Sequence, residues 1–155
     1  MKATSWISRG AVAALFMATS LAQAEVVNIG NGELNDLLKQ GVPLVDLRTV
    51  GEWQQTGVVK GSQMITLFDE QGRANPQEWT VQLDKVASPD KPVILICRTG
   101  NRTNAAAQYL VNKLGRKGTV YNVKAGITGW TREGQPVVGM QENLKQAGVI
   151  CSPKC

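Results

Sequence analysis

The chain has 155 residues, a formal charge of +5, three cysteines and no histidine. Without an imidazole, Cys-His and Ser-His catalysis and any histidine-ligated metal are excluded. The basic residues form no run of the kind that marks a nucleic-acid partner, and small anions suit the charge better.

In chain order, residues 1–24 read as a cleaved leader. Lys2 and Arg9 form a positive start, Gly10 to Leu21 is small and apolar, and Ala22-Gln23-Ala24 is a small-x-small cleavage site with Glu25 opening the mature chain. The apolar stretch is shorter than the roughly 20 residues of a spanning helix. The expectation is an exported protein of a bacterial periplasm, free of the membrane after cleavage. Taking 24 residues from 155 leaves 131, enough for one compact core, and the charge falls to +3 with Lys2 and Arg9.

The mature chain alternates between strand and helix patterns. Val26–Ile29 predicts a strand. Glu33–Lys39 predicts a helix with Leu34, Leu37 and Leu38 on one face and Gly41 at its end. Pro43–Leu47 is a buried strand, Val50–Gln55 a helical turn closed by Gly57, and Ser62–Ile65 a further strand. Asn75-Pro76 caps and starts a helix to Val86. Val93–Cys97 reads as the central strand, Asn104–Leu114 as the helix after it, and Val120–Val123 as another strand. Ile127–Arg132 and Met140–Ala147 close the series as helices. Apolar runs separated by helices predict an α/β fold with a mostly parallel sheet covered on both faces, and ligands then sit at the carboxyl ends of the strands.

Cys97 lies at that kind of end. It opens Cys97-Arg98-Thr99-Gly100-Asn101-Arg102-Thr103, a short loop between a buried strand and a helix. Unpaired N–H groups and the positive end of a helix dipole stabilise a thiolate there, which makes it a nucleophile. Cations at a helix start are unfavourable unless they serve something, so Arg98 and Arg102 point to function. Gly100 is expected where φ is positive or a side chain would collide.

Three cysteines are an odd number for an oxidising compartment. Cys151 and Cys155 flank a turn-forming Pro153, which predicts a disulfide between them and leaves Cys97 free. The alternative is that a tail thiol exchanges at the Cys97 sulfur. Three thiols without histidine make no closed zinc shell, so no metal and no cofactor are expected.

These residues resemble the single-domain rhodaneses, the thiosulfate sulfurtransferase family. Cys97 to Arg102 looks like that family's active-site loop. Val45-Asp46-Leu47-Arg48 with Glu52-Trp53, Gly57-Val58-Val59-Lys60-Gly61-Ser62, and Ala125-Gly126-Ile127 with Trp130, Gly134 and Pro136-Val137 look like its other motifs. The likeness runs over about residues 26–138. Val58 stands where the family commonly has histidine, and Ala125-Gly126 where it commonly has two glycines. The resemblance implies a three-layer rhodanese-like fold over 25–139, followed by a helix and cysteine-bearing tail over 140–155. It implies a sulfurtransferase in which Cys97 takes sulfane sulfur from thiosulfate, or a similar small donor, and passes it to cyanide or a thiol. The other reading is a persulfide carrier or thiol-redox partner with little thiosulfate turnover. The loop, Arg98 to Thr103, is then expected to hold the substrate, with Arg98 pointing outward. Arg102 is expected to brace the loop through Asp46 or Glu52, and Asp46 and Arg48 to form a structural ion pair. Four residues separate Cys97 from Arg102, where the related dual-specificity phosphatases have five. The tighter loop suits a persulfide better than phosphate.

Overall fold

The computed structural model describes residues 24–152 and Cys155. The proposed leader therefore lies outside the described residues, apart from Ala24. Among the described residues, no helix is long and apolar enough to cross a membrane.

Six strands form one sheet in the order β1(Val26–Ile29), β5(Val120–Val123), β4(Val93–Ile96), β2(Leu44–Asp46), β3(Gln63–Ile65) and β6(Cys151–Ser152). Every pair in it is parallel. All carboxyl ends thus open on one side of the molecule. The period-2 alternation of β4 divides the core. Val93, Leu95 and Cys97 pack with Trp79 and Leu83 of α3(Pro76–Val86) and with Ala106, Ala107 and Leu110 of α4(Asn101–Asn112). Ile94 and Ile96 pack on the other face with Leu34 of α1(Asn31–Lys39) and with Ile127 and Trp130 of α5(Gly126–Arg132). The result is the three-layer arrangement expected from continuous apolar strands. A third cluster joins Trp53 of α2(Val50–Thr56), Val58, Met64 and Met140.

Val58 belongs to that cluster. It is fully buried and bridges to Val138, so an apolar side chain fits where histidine is common. Ala125 has φ −96°, open to any residue, and only Gly126 takes a positive φ, of 56°.

Two helices differ from the sequence expectation. The helix after Cys97 starts at Asn101 rather than Asn104 and ends at Asn112, because Gly100, at φ 89°, turns the chain straight into it. Asn101 and Arg102 are therefore helical. The last helix, α6(Met140–Asn143), stops well short of Ala147. Asn143 is buried, accepts from the Gly61 N–H at 2.7 Å and donates to the Ser62 carbonyl at 2.9 Å. Beyond it the backbone changes to i→i−3 bonds, Lys145 to Glu142 and Gln146 to Asn143.

The tail then returns as β6, an element not anticipated from the sequence. Met64 N–H donates to Ile150 and Thr66 N–H to Ser152. Cys151 is disulfide-bonded to Cys155, with Cα atoms 6.0 Å apart. In a chain-entropy view, a ring with a sequence separation of 4 stabilises by at most about 2 kcal/mol. Reduction, or Cys155→Ser, is expected to lower the melting temperature slightly and to speed amide exchange at Met64 and Thr66, with β4 unaffected. Unchanged exchange at those two amides would show that the disulfide does not hold β6.

Candidate active site

Cys97 is the first residue beyond β4 and is fully buried. It is the free cysteine of the chain. Its loop is shaped from two sides. Gly100 needs its left-handed conformation, and a Cβ on it would lie 2.2 Å from the Lys124 carbonyl oxygen. Gly126 lets α5 approach, since a Cβ there would lie 2.5 Å from the carbonyl oxygens of Cys97 and Arg98. The first amides of α5 use that proximity. Ile127 N–H donates to the Cys97 carbonyl at 2.8 Å and Thr128 N–H to the Arg98 carbonyl at 3.1 Å. In a trans peptide the N–H points opposite to its carbonyl, so the N–H groups of Arg98 and Thr99 are turned away from α5.

Two groups reach the sulfur. Gly100 N–H donates to Sγ at 3.2 Å, and Thr103 Oγ1 lies 3.4 Å from it. Of the N–H groups of residues 98–103 expected to cradle the sulfur, only that of Gly100 makes a hydrogen bond to it among the described residues. The α4 N-terminus adds its dipole and the N–H groups that no helical carbonyl satisfies.

The two arginines have separate surroundings. Arg98 is exposed and has no hydrogen-bond or ion-pair partner for its guanidinium among the described residues. It lines two clefts, one of about 300 Å³ bounded by Arg48, Gln55 and Thr128, the other of about 550 Å³ bounded by Thr99, Phe68 and Glu70. Arg102 is half-buried and forks onto Glu52, Nη1 to Oε2 at 2.8 Å and Nη2 to Oε1 at 2.5 Å. The brace therefore runs through Glu52, not Asp46. Glu52 also accepts from Thr49 N–H at 3.1 Å, within the capping box of α2. One carboxylate thus caps a helix and fixes an arginine on the loop's helix.

Asp46 and Arg48 form a buried pair at 2.7 Å. Arg48 also donates to Thr56 Oγ1 at 2.6 Å and to the Gly57 carbonyl at 2.8 Å. It thereby holds the C-terminal end of α2, while Glu52 holds the start. Trp53 and Trp130 are core residues.

The expected substrate contacts divide accordingly. Arg98 and Thr99 face open space in the clefts. Asn101 is exposed but lines neither cleft. Gly100 and Thr103 are buried and reach the sulfur itself rather than the clefts. Asn122 is a site residue that the sequence reading missed. It is buried on β5 and hydrogen-bonded to Thr103. Its only signal was a polar residue inside an apolar strand.

The ionisation of the brace follows its contacts. Burial pushes the Glu52 carboxyl up, but the Arg102 hydrogen bond, the Thr49 amide and the charges of Arg102 and Arg48 outweigh it and hold it below its ordinary 4.5. The Glu52 hydrogen bond raises Arg102 against the effect of burial, helped by the charges of Glu52, Cys97 and Asp46. A lowered carboxylate contributes stability above its unfolded value and loses it as pH falls through its folded value. Wild type is thus expected to lose this contribution only below pH 4.5. Glu52→Gln is expected to cost on the order of 1 kcal/mol at pH 7, allowing for solvent screening, and to flatten the acid limb of the melting profile. An unchanged acid limb would dismiss the brace. Gly100→Ala is expected to lower the melting temperature in a thermal melt, since the added methyl collides with the Lys124 carbonyl.

The sequence matches the Rhodanese-like domain family over residues 31–133. It is 28% identical over 131 residues to Rhodanese-like domain-containing protein 17 of Arabidopsis thaliana, covering 82% of each chain. It is 26% identical over 125 residues to Thiosulfate sulfurtransferase 18 of the same organism, covering 78% of this chain and 90% of the other. Its structure resembles that of the Polysulfide-sulfur Transferase homodimer of Wolinella succinogenes, with a TM-score of 0.57 and 25% identity, covering 74% of this chain and 79% of the other. The strand order, the loop around Cys97 and the extent of the match lead to one conclusion: the chain belongs to the rhodanese-like domain family.

Proposed function

We propose that this protein is a sulfurtransferase that carries sulfane sulfur on Cys97. The observation behind this reading is the surroundings of one thiol. Cys97 follows the central strand and receives the Gly100 N–H, and its neighbour in sequence, Arg98, is exposed at both clefts with no partner for its guanidinium among the described residues. The family supports the same chemistry. The relative named a thiosulfate sulfurtransferase suggests thiosulfate as a donor, and the solved polysulfide-sulfur transferase suggests polysulfide.

The reaction is a double displacement. The Cys97 thiolate attacks the outer sulfur of thiosulfate. The S–S bond breaks, sulfite leaves with the bonding pair, and Cys97 holds a persulfide. A thiolate acceptor or cyanide then attacks the outer sulfur and returns the Cys97 thiolate. A covered sulfur favours donors whose reacting atom is a terminal sulfur. Arg98 meets the donor's negative charge, because a guanidinium stays ionised and matches two oxygens at once. Arg102, already engaged by Glu52, keeps the loop in shape.

We also assign residues 1–24 to a leader removed on export to a bacterial periplasm. The packed domain begins at Glu25, whose carbonyl accepts the Val120 N–H at 3.0 Å. N-terminal sequencing of protein from the native compartment is expected to start at Glu25, and a retained Met1 would refute the assignment.

Intact mass after mixing with thiosulfate is expected to rise by one sulfur atom and to fall back on adding cyanide. Cys97→Ser should take up no sulfur and melt normally. Uptake by that variant would end the assignment, and uptake from polysulfide alone would change the donor. Arg98→Ala should raise KM for thiosulfate about tenfold, the effect of losing about 1.4 kcal/mol of charged contact, with an unchanged melt. Arg102→Ala should lower the melting temperature and kcat together. Matching losses in both variants at constant melting temperature would sink this division of roles.

A further inference from the structure

A polar chain runs from the Cys97 sulfur to the edge of the sheet, and none of its members lines either cleft. Thr103 is fully buried and Asn122 is 3% exposed, while Asn28, on the edge strand β1, is exposed. Thr103 Oγ1 is 3.4 Å from Sγ, 3.0 Å from the Gly100 carbonyl oxygen and 2.5 Å from Asn122 Oδ1. Asn122 Nδ2 in turn donates to Asn28 Oδ1 at 2.7 Å. Asn28 and Asn122 are register partners on neighbouring strands.

The Thr103 hydroxyl has one proton for three acceptors. With Asn122 presenting its oxygen at the shortest distance, the proton goes to Asn122. Thr103 then offers Sγ only a lone pair. That suits a thiol, whose S–H donates to it, and opposes a thiolate. An asparagine amide, however, presents either oxygen or nitrogen to the same partner after a half-turn. With Asn122 turned, its Nδ2 donates to Thr103 Oγ1 and the hydroxyl proton is free for the sulfur. Asn122 Oδ1 then faces Asn28, which turns its own Nδ2 to meet it. Asn28 is exposed, so its outward amide atom finds water in either setting.

We propose that Asn28, Asn122 and Thr103 are positioning residues that form a reversible hydrogen-bond relay. The relay reverses with the charge on Cys97, accepting from the thiol and donating to the thiolate. When the thiol ionises, its proton leaves to solvent. The hydroxyl and amide protons stay on their own oxygen and nitrogen and only rotate. The charged groups around the sulfur are Arg98 and Arg102, with Glu52 of α2 on Arg102, the Asp46–Arg48 pair at the end of β2, and exposed Lys124 after β5. None of these bonds to Thr103 or Asn122 among the described residues, so they act on the sulfur in both settings alike.

The proposal draws its purpose from the sulfurtransferase reading, but its test needs no sulfur donor, so the two fail separately. Thiolate absorbance near 240 nm is titrated on the disulfide-intact protein, with Cys97→Ser subtracted. Thr103→Val removes the donor to the anion and is expected to raise the midpoint by about one pH unit, a tenfold loss of thiolate at lower pH. Thr103→Ser is expected to restore it. Asn28→Asp presents only acceptors, which holds Asn122 in the thiol setting from an exposed position. It is expected to raise the midpoint by a similar amount at high salt, and to add nothing to Thr103→Val in the double variant. Should valine disturb the fold, Asn28→Asp decides alone. A wild-type midpoint in Asn28→Asp, or shifts that add in the double variant, would overturn the relay.

Discussion

Two backbone hydrogen bonds decide what kind of site this is. By taking the Cys97 and Arg98 carbonyls, the first amides of α5 fix the orientation of the loop's peptide planes. Acceptors are drawn to one side and donors are left for the other. The loop amide that reaches the sulfur among the described residues, that of Gly100, belongs to the next peptide along. The approach depends on Gly126, because any side chain there would meet the very carbonyls being bound. The geometry of the loop thus rests on a steric condition two elements away in sequence.

Around that loop, α2 is secured at both ends by residues that also define the cleft. Glu52 caps its start and holds Arg102, while Arg48 holds the carbonyl of Gly57, just past its end, and pairs with Asp46. The buried Asp46–Arg48 pair contributes modestly to net stability, and losing one of its partners costs several kcal/mol because the other charge is stranded. The effect of both pairs here is geometric. They leave Arg98 as the arginine of the loop whose guanidinium has no partner among the described residues.

Much of the architecture could be read from local chemistry. The Asn75-Pro76 start of α3 and the strands around Val93 and Val120 follow from caps and apolar runs, because those signals act within a few residues. The start of α4 was misplaced because Gly100 reads as a loop residue until its left-handed φ shows it to be the cap. The length of α6 was overestimated because nothing in its own periodicity says that Asn143 is needed by Gly61 and Ser62. The same limit applied at the site. Cys97 and its arginines stand in one short segment, whereas Asn122 joins them only through the pairing of β4 with β5. Glu52 and Asp46 were equal candidates for Arg102 until the fold brought Glu52 to it.

The strand β6 lies outside the region matched by the family, yet it changes the exposure of the sheet. Without it, β3 would end the sheet with the Met64 and Thr66 amides unpaired. An open edge of that kind invites another chain to add a strand, a common route to aggregation. β6 covers it with a strand of two residues, too short to serve as a good template itself. The tail thus closes an edge that would otherwise be open, and one of the strand's two residues, Cys151, is tied to Cys155.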